Sequence, residues 1–195
     1  MRIFLVSASA LLLLSGCGYH FQGPSDGPTT ISIPYVEGDV NGQLTDQLVR
    51  AFSTSGDFKY AYVEGRLTLR VNLIDRHAEP IGWRYEKEKD GSIEDELIAV
   101  EGRRFLSAEV QLIDSATEEV LYGPEIITAT LDYDYFEPDV IQDLSFVNSF
   151  GVRQSSVQFS LGQLDSSEAA YDDVFYPLAQ KLSKKIVDRI IRTSY

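Results

Sequence analysis

The side chains able to do chemistry are few and scattered. Cys17 is the only cysteine, so no disulfide can form within the chain and the fold must stand on its apolar core. His20 and His77 are the only histidines and lie far apart. With no second thiol to join them, they do not make a transition-metal set. Asp90, Glu94, Asp95 and Glu96 gather carboxylates that suit calcium, but they lack the ordered spacing of a calcium loop and read as a solvated charged loop. No serine stands in a G-x-S-x-G elbow, and no glycine-rich phosphate loop is present. No catalytic residue, metal or cofactor is therefore expected. The candidate binding groups are arginines. Alternation puts Arg66 and Arg70 on the outward face of one strand and Arg103 on the same face of the next. There their paired donors suit a phosphate or another anion. The plainer alternative has Arg70 facing Glu109 across the hairpin as a cross-strand ion pair.

The thiol has a telling context. Arg2 precedes an apolar run, Ile3 to Leu14, which closes on Leu14-Ser15-Gly16-Cys17. The run is shorter than the ~20 apolar residues that span a bilayer. It has the charged start, apolar middle and small-residue end of an export signal. Leu-Ser-Gly-Cys resembles a bacterial lipobox. The resemblance implies that Cys17 is acylated, with palmitate among the acyl groups, and that the chain is cut before it. A secretory signal that merely contains a cysteine is the alternative. Each buried methylene contributes ~0.8 kcal/mol, so two or more acyl chains anchor stably. Gly18, where an acidic residue would favour retention at the inner membrane, resembles the sorting signal for the outer membrane. Residues 1–16 then form the signal peptide and 17–30 a lipidated N-terminus and linker. Residues 31–195 make a single domain facing the periplasm or a barrel lumen.

Composition narrows the partners. The chain carries 17 Lys+Arg against 30 Asp+Glu, a net charge of -13. That balance argues against nucleic acid, whose phosphates are met by Lys and Arg, and against a general attraction to anionic lipid. With 11 Tyr and 10 Phe, the chain is not a disordered acidic tail.

The elements that would position these residues follow from periodicity. Gln22–Thr30 is rich in Gly, Pro and Ser and reads as linker. Ile31–Tyr35 alternates as a strand, and Pro34 places it at a sheet edge. Asn41 is the expected N-cap of a helix carrying Leu44, Leu48 and Phe52, which Gly56 ends. Leu67–Leu73 and Arg104–Leu112 alternate as strands, and a third runs from Val120 to Tyr133, with Gly123-Pro124 marking a bulge or edge. Between the first two lies Arg84–Gly102, read as a polar loop or a hairpin projecting beyond the sheet. A strand or hairpin is read around Val152–Leu161. Tyr171, Leu178, Leu182, Ile186 and Ile190 line a long final helix, with Asp172-Asp173 at its start and Pro177 near it. The expected fold is an α+β two-layer sandwich: a mostly antiparallel sheet of about four strands with two helices on one face. Its order is β-α-β-β-β-α, with an insertion at 133–167 before the last helix.

Gly16-Cys17-Gly18-Tyr19-His20-Phe21, the Ile-rich strand and Asn41-Gly42-Gln43-Leu44-Thr45 resemble the opening of the LptE family, as do the long hairpin and terminal helix. LptE proteins are outer-membrane lipoproteins that assemble with the LptD barrel for lipopolysaccharide export. The resemblance implies a plug-like, non-enzymatic domain seated partly in the lumen of an LptD-type barrel. It also implies lipopolysaccharide as a ligand, to which Arg66, Arg70 and Arg103 are the candidate contacts. Two departures stand out. Val120–Tyr133 contains no Lys or Arg, where the family carries basic residues on its sheet, and the link to the last helix is far longer. Trp83, Tyr135, Phe136, Phe146 and Phe150 are candidate partner-facing residues, or else a satellite core. The competing function is an envelope or surface lipoprotein acting as an adhesin or structural binding module.

Overall fold

The alternating runs around Leu69 and Leu106 become the two longest elements of the protein. The computed structural model describes residues 28–87, 92–136, 145–155 and 166–193; Cys17, His20 and Asp90 lie outside them. In chain order the elements are β1 (Thr29–Ser32), α1 (Gln43–Ser55), β2 (Phe58–Tyr60), β3 (Leu67–Lys87), β4 (Ile93–Asp114), β5 (Val120–Asp134), β6 (Ser145–Val147), β7 (Arg153–Ser155), α2 (Ser167–Asp173) and α3 (Phe175–Thr193). The fold is α+β. One five-stranded sheet runs β2-β1-β3-β4-β5, while β6 and β7 pair separately. The β3-β4-β5 part is antiparallel, whereas β1 is parallel to both β2 and β3.

Both long helices cover one face of this sheet. Leu44, Leu48 and Phe52 of α1 and Leu178, Leu182, Ile186 and Ile190 of α3 are fully buried against Leu69, Leu106, Ala108 and Val110. Each such Leu, Ile or Phe contributes roughly 1.5–3 kcal/mol relative to exposure. Phe52 meets Phe58 edge-to-face at 5.2 Å.

Several local expectations are corrected. The sheet has five strands rather than about four, because three-residue β2 is too short to show a period. Nor is β1 an edge strand: it lies between β2 and β3. It ends at Ser32, so the N–H that Pro34 lacks removes no ladder bond. Asn41 does not cap α1. The preceding Gly42 is left-handed (φ 70°) and offers no side chain. Instead Asp39 Oδ2 accepts from the Thr45 N–H at 2.8 Å and the Thr45 hydroxyl at 2.9 Å. Asp172 and Asp173 close α2 rather than open α3. The division at Val174 follows from Pro177, which cannot donate to the Asp173 carbonyl but fits the first turn of α3.

The free edge of β5 is covered from the helix layer. Lys181 Nζ donates to the Thr130 carbonyl at 2.7 Å and Lys185 Nζ to that of Thr128 at 2.8 Å. These lysines occupy carbonyls that would otherwise template another strand.

Among the described residues, the ladder of β3 and β4 outruns the strands and helices that cover it. It continues to Lys87↔Ile93. However, β5 leaves β4 at Glu101↔Asp134, and β1 pairs with β3 only at Leu67 and Thr68. Within Arg84–Gly102, the described residues 84–87 and 93–100 thus pair as a projecting hairpin, the second of its two readings. At the base of the 133–167 stretch, a parallel bridge joins Phe136 to Ser166. β7 falls within the strand read at Val152–Leu161, paired with β6, and residues 156–165 lie outside the described residues.

Gly56 (φ 86°) and Gly123 (φ 81°) are both left-handed, but a Cβ on Gly56 would meet nothing, whereas one on Gly123 would stand 2.2 Å from the Val110 carbonyl oxygen. Gly56→Ala should therefore lower the unfolding free energy by about 1 kcal/mol. Gly123→Ala should lower it further, by roughly 2–3 kcal/mol. Denaturant titration checks both, and equal losses would contradict the close approach.

Candidate functional site

The uncovered face of the sheet carries the three candidate arginines, but the register keeps them apart. Arg70 sits opposite Gln111 and Arg103 opposite Glu79. Their separation along β4 is therefore roughly 26 Å, and Arg66 is farther still. The expected clamp is not assembled. The alternative pair fails too, because Glu109 stands opposite Asn72 rather than Arg70. Arg103 is engaged elsewhere: its Nε donates to Asp132 Oδ1 at 2.6 Å and its Nη2 to Oδ2 at 2.9 Å. This bidentate pair holds the Asp132 carboxyl below the usual carboxylate range and keeps the guanidinium charged. On the same face His77 Nδ1 lies 2.7 Å from Asp75 Oδ2, and its ring stacks on Phe105 at 4.4 Å.

The projecting ribbon presents a different surface. Trp83 is 54% exposed, Tyr85 53%, Ile93 69% and Leu97 56%. Tyr85 lies directly opposite Leu97, and Trp83 opposite Ala99, so apolar side chains adjoin on a ribbon that, among the described residues, has no third strand. Of the other candidate contacts, Tyr135 is half-buried and donates its N–H to the Val100 carbonyl at 3.0 Å. That bond sets Tyr135 across β4 from Trp83. Phe136 is half-buried at the bridge to Ser166. Phe146 and Phe150 are exposed on the β6–β7 hairpin, Phe150 at 88%. These five residues thus fall on three elements.

A cluster that sequence reasoning missed surrounds Arg104. This side chain occupies the core face of β4 in step with Leu106, Ala108 and Val110, and is 5% exposed. Its Nη1 donates to the Tyr171 carbonyl. Its Cζ lies 3.6 Å from the centroid of the Tyr171 ring and 4.9 Å from that of Phe175, a double cation–π contact. Burial lowers its pKa from the usual arginine value, against the opposing influence of Tyr171 and Asp172. It forms one wall of a cleft of about 540 Å³, with Asp39, Arg76, Tyr171, Asp172 and Phe175 among the others. One signal was available: an arginine standing where strict alternation calls for an apolar residue.

Among the described residues, no three His, Cys, Asp or Glu side chains gather to hold a metal ion, and no helix is long and apolar enough to cross a membrane.

No protein-family model matches the chain, and no curated protein matches it in sequence. Solved structures do resemble it. One is a presumed lipoprotein from Caulobacter crescentus CB15, with 13% identity over 84% of this chain and 90% of that one and a TM-score of 0.47. Another is a DUF330 protein from Xanthomonas campestris, with 11% identity over 88% and 91% and a TM-score of 0.45. A third is a minor lipoprotein from Acinetobacter baumannii, with 10% identity over 83% and 91% and a TM-score of 0.42. Likeness of this degree assigns neither a family nor a role.

The Arg103–Asp132 pair yields a signed pH prediction. The folded pKa of Asp132 lies below its unfolded value. Its stabilisation is therefore present above the unfolded value and is lost as pH falls through the folded one. Arg103→Gln should move the Asp132 titration, followed by carboxyl NMR, up toward the ordinary value of about 3.9 and remove that acid-side loss. An unmoved titration would show that Arg103 is not what holds it.

Proposed function

We propose that the protein is an envelope lipoprotein, anchored in the outer membrane through Cys17, that serves as an LptE-like plug and assembly subunit of an LptD-type barrel in lipopolysaccharide transport. The reading assigns it no chemistry of its own. The lipobox-like Leu14–Cys17, the opening Gly16–Phe21 and the two-layer domain all support it. The observation that carries it is the projecting end of the β3–β4 ribbon. A two-stranded ribbon is marginal alone, and this one exposes Trp83, Tyr85, Ile93 and Leu97. Apolar surface presented this way suits a partner, and a barrel wall is built of strands.

The reading places barrel contact ahead of lipid contact. Arg103 is taken by Asp132 of β5, Arg189 pairs with Glu125 of the same strand, and Lys181 and Lys185 bond its edge carbonyls. Arg66 and Arg70 stay exposed and are the arginines left for lipopolysaccharide. A second reading, an adhesin or structural binding module, draws on the exposed Phe146 and Phe150, which a surface protein would offer to an external partner.

A photo-crosslinking residue in place of Trp83 or Leu97, tested in living cells, should capture a large outer-membrane barrel, while one in place of Arg70 should capture it far less. Cys17→Ala should release the chain from the membrane, and depletion should leave the barrel immature. Normal barrel assembly without the protein, with no barrel crosslink, would overturn the reading; cleavage of the β6–β7 hairpin by protease on intact cells would favour the adhesin.

A further inference from the structure

The cleft beside Arg104 is lined by two residues that each carry an unmet polar atom. Arg104 Nε and Asp39 Oδ1 are both buried and without a hydrogen-bond partner, and both residues line the same cleft. Arg104 is 5% exposed and Asp39 2%. Buried polar atoms are nearly always paired, and leaving one unpaired in a protein interior is strongly unfavourable. The two atoms ask for opposite things, one an acceptor and the other a donor. Their surroundings repeat the division: Arg76 and Asp172, both exposed, add one charge of each sign to the rim.

An anion alone would meet Asp39 and Asp172, and a cation alone would meet Arg76 and Arg104. We propose that this cleft binds a small zwitterion, a molecule with an ammonium group a few bonds from a phosphate or carboxylate. The anionic end pairs with Arg76 and with the Nε edge of Arg104, the edge that grips oxyanions side-on. The ammonium pairs with Asp39 Oδ1 and Asp172. Asp39 Oδ2 already accepts from Thr45, which leaves Oδ1 as the oxygen without a partner. Both orphan atoms are closed to solvent, so binding requires the Arg104 guanidinium to turn toward the cleft and the Asp39 carboxylate to shift with it. The Tyr171 and Phe175 rings, with centroids 3.6 and 4.9 Å from the guanidinium carbon, form an apolar wall. The cleft volume of about 540 Å³ lies within the range usual for small-ligand sites. The site stands apart from the ribbon and does not depend on the barrel reading.

The test is calorimetric titration of the full chain in a non-ionic detergent at fixed ionic strength. The probes are O-phosphoethanolamine, glycine, inorganic phosphate and ethylammonium. At least one zwitterion should bind saturably and roughly tenfold more tightly than phosphate or ethylammonium. Preference for O-phosphoethanolamine indicates a phospholipid-type head group, and preference for glycine indicates a free amino acid. Arg104→Met should weaken binding roughly tenfold or more. Arg76→Met should do likewise and, being on the rim, leaves the core intact should Arg104→Met fail to fold. Arg70→Met, on the opposite face, should change nothing. Absence of saturable binding, phosphate binding as tightly as either zwitterion, or full binding by Arg76→Met would each overturn the proposal.

Discussion

The structure depends on a mismatch of lengths. A strand advances about 3.3 Å per residue and a helix about 1.5 Å. β3, from Leu67 to Lys87, therefore extends roughly 70 Å, whereas α3, from Phe175 to Thr193, extends about 28 Å. No helix of that size can cover such a ladder. The buried apolar residues of β3 and β4 accordingly gather at one end, from Leu67 to Val71 and from Leu106 to Ile113. Past that zone the same two strands continue with hydrogen bonds to each other but, among the described residues, little over either face. Core and projection are one continuous ladder that differs only in what lies on it.

The boundary between the two regimes is where the unusual polar chemistry collects. Arg104 is the first core-face position past Leu106, at the limit of the helix layer, and Tyr171 and Phe175 close over it. On the neighbouring strand a register shift after Leu73 precedes Arg76, which stands opposite Leu106 and meets solvent. The loop carrying Asp39 reaches the same border because Glu37 pairs with Val71 and Leu73 through backbone bonds. A guanidinium suits such a place. Its stem and planar face pack against rings while its donors seek oxygen.

Much of the scaffold could be read from the sequence, and the failures share a cause. The buried stripes of α1 and α3 and the inward rows of β3 and β4 follow from period alone, since one covered face imposes one pattern. Gly56 was legible because the end of α1 needs a positive φ, whereas Gly123-Pro124 signals only a bulge or edge and not the positive φ of Gly123. What period could not supply was register. Arg66, Arg70 and Arg103 do share a face, yet pairing Arg103 with Glu79 sends it far from Arg70. The cap on α1 was missed for a related reason: Asp39 reaches Thr45 across a turn, not from the adjoining position. The position of β1 between two parallel partners likewise depends on a crossover through α1, which leaves no mark in Ile31–Pro34.

A ribbon that runs past its own core is poorly stabilised by itself and is well shaped to be completed by something else, which links the fold to the assembly role proposed for it. The most direct measurement is hydrogen exchange along the ladder, first in the isolated chain and then in outer-membrane preparations. In isolation, amides of 82–86 and 93–99 should exchange at least roughly a hundredfold faster than those of 67–71 and 106–112, and in the membrane they should slow markedly. If the outer amides of the isolated chain exchange as slowly as the core ones, the ribbon needs no partner and the account fails.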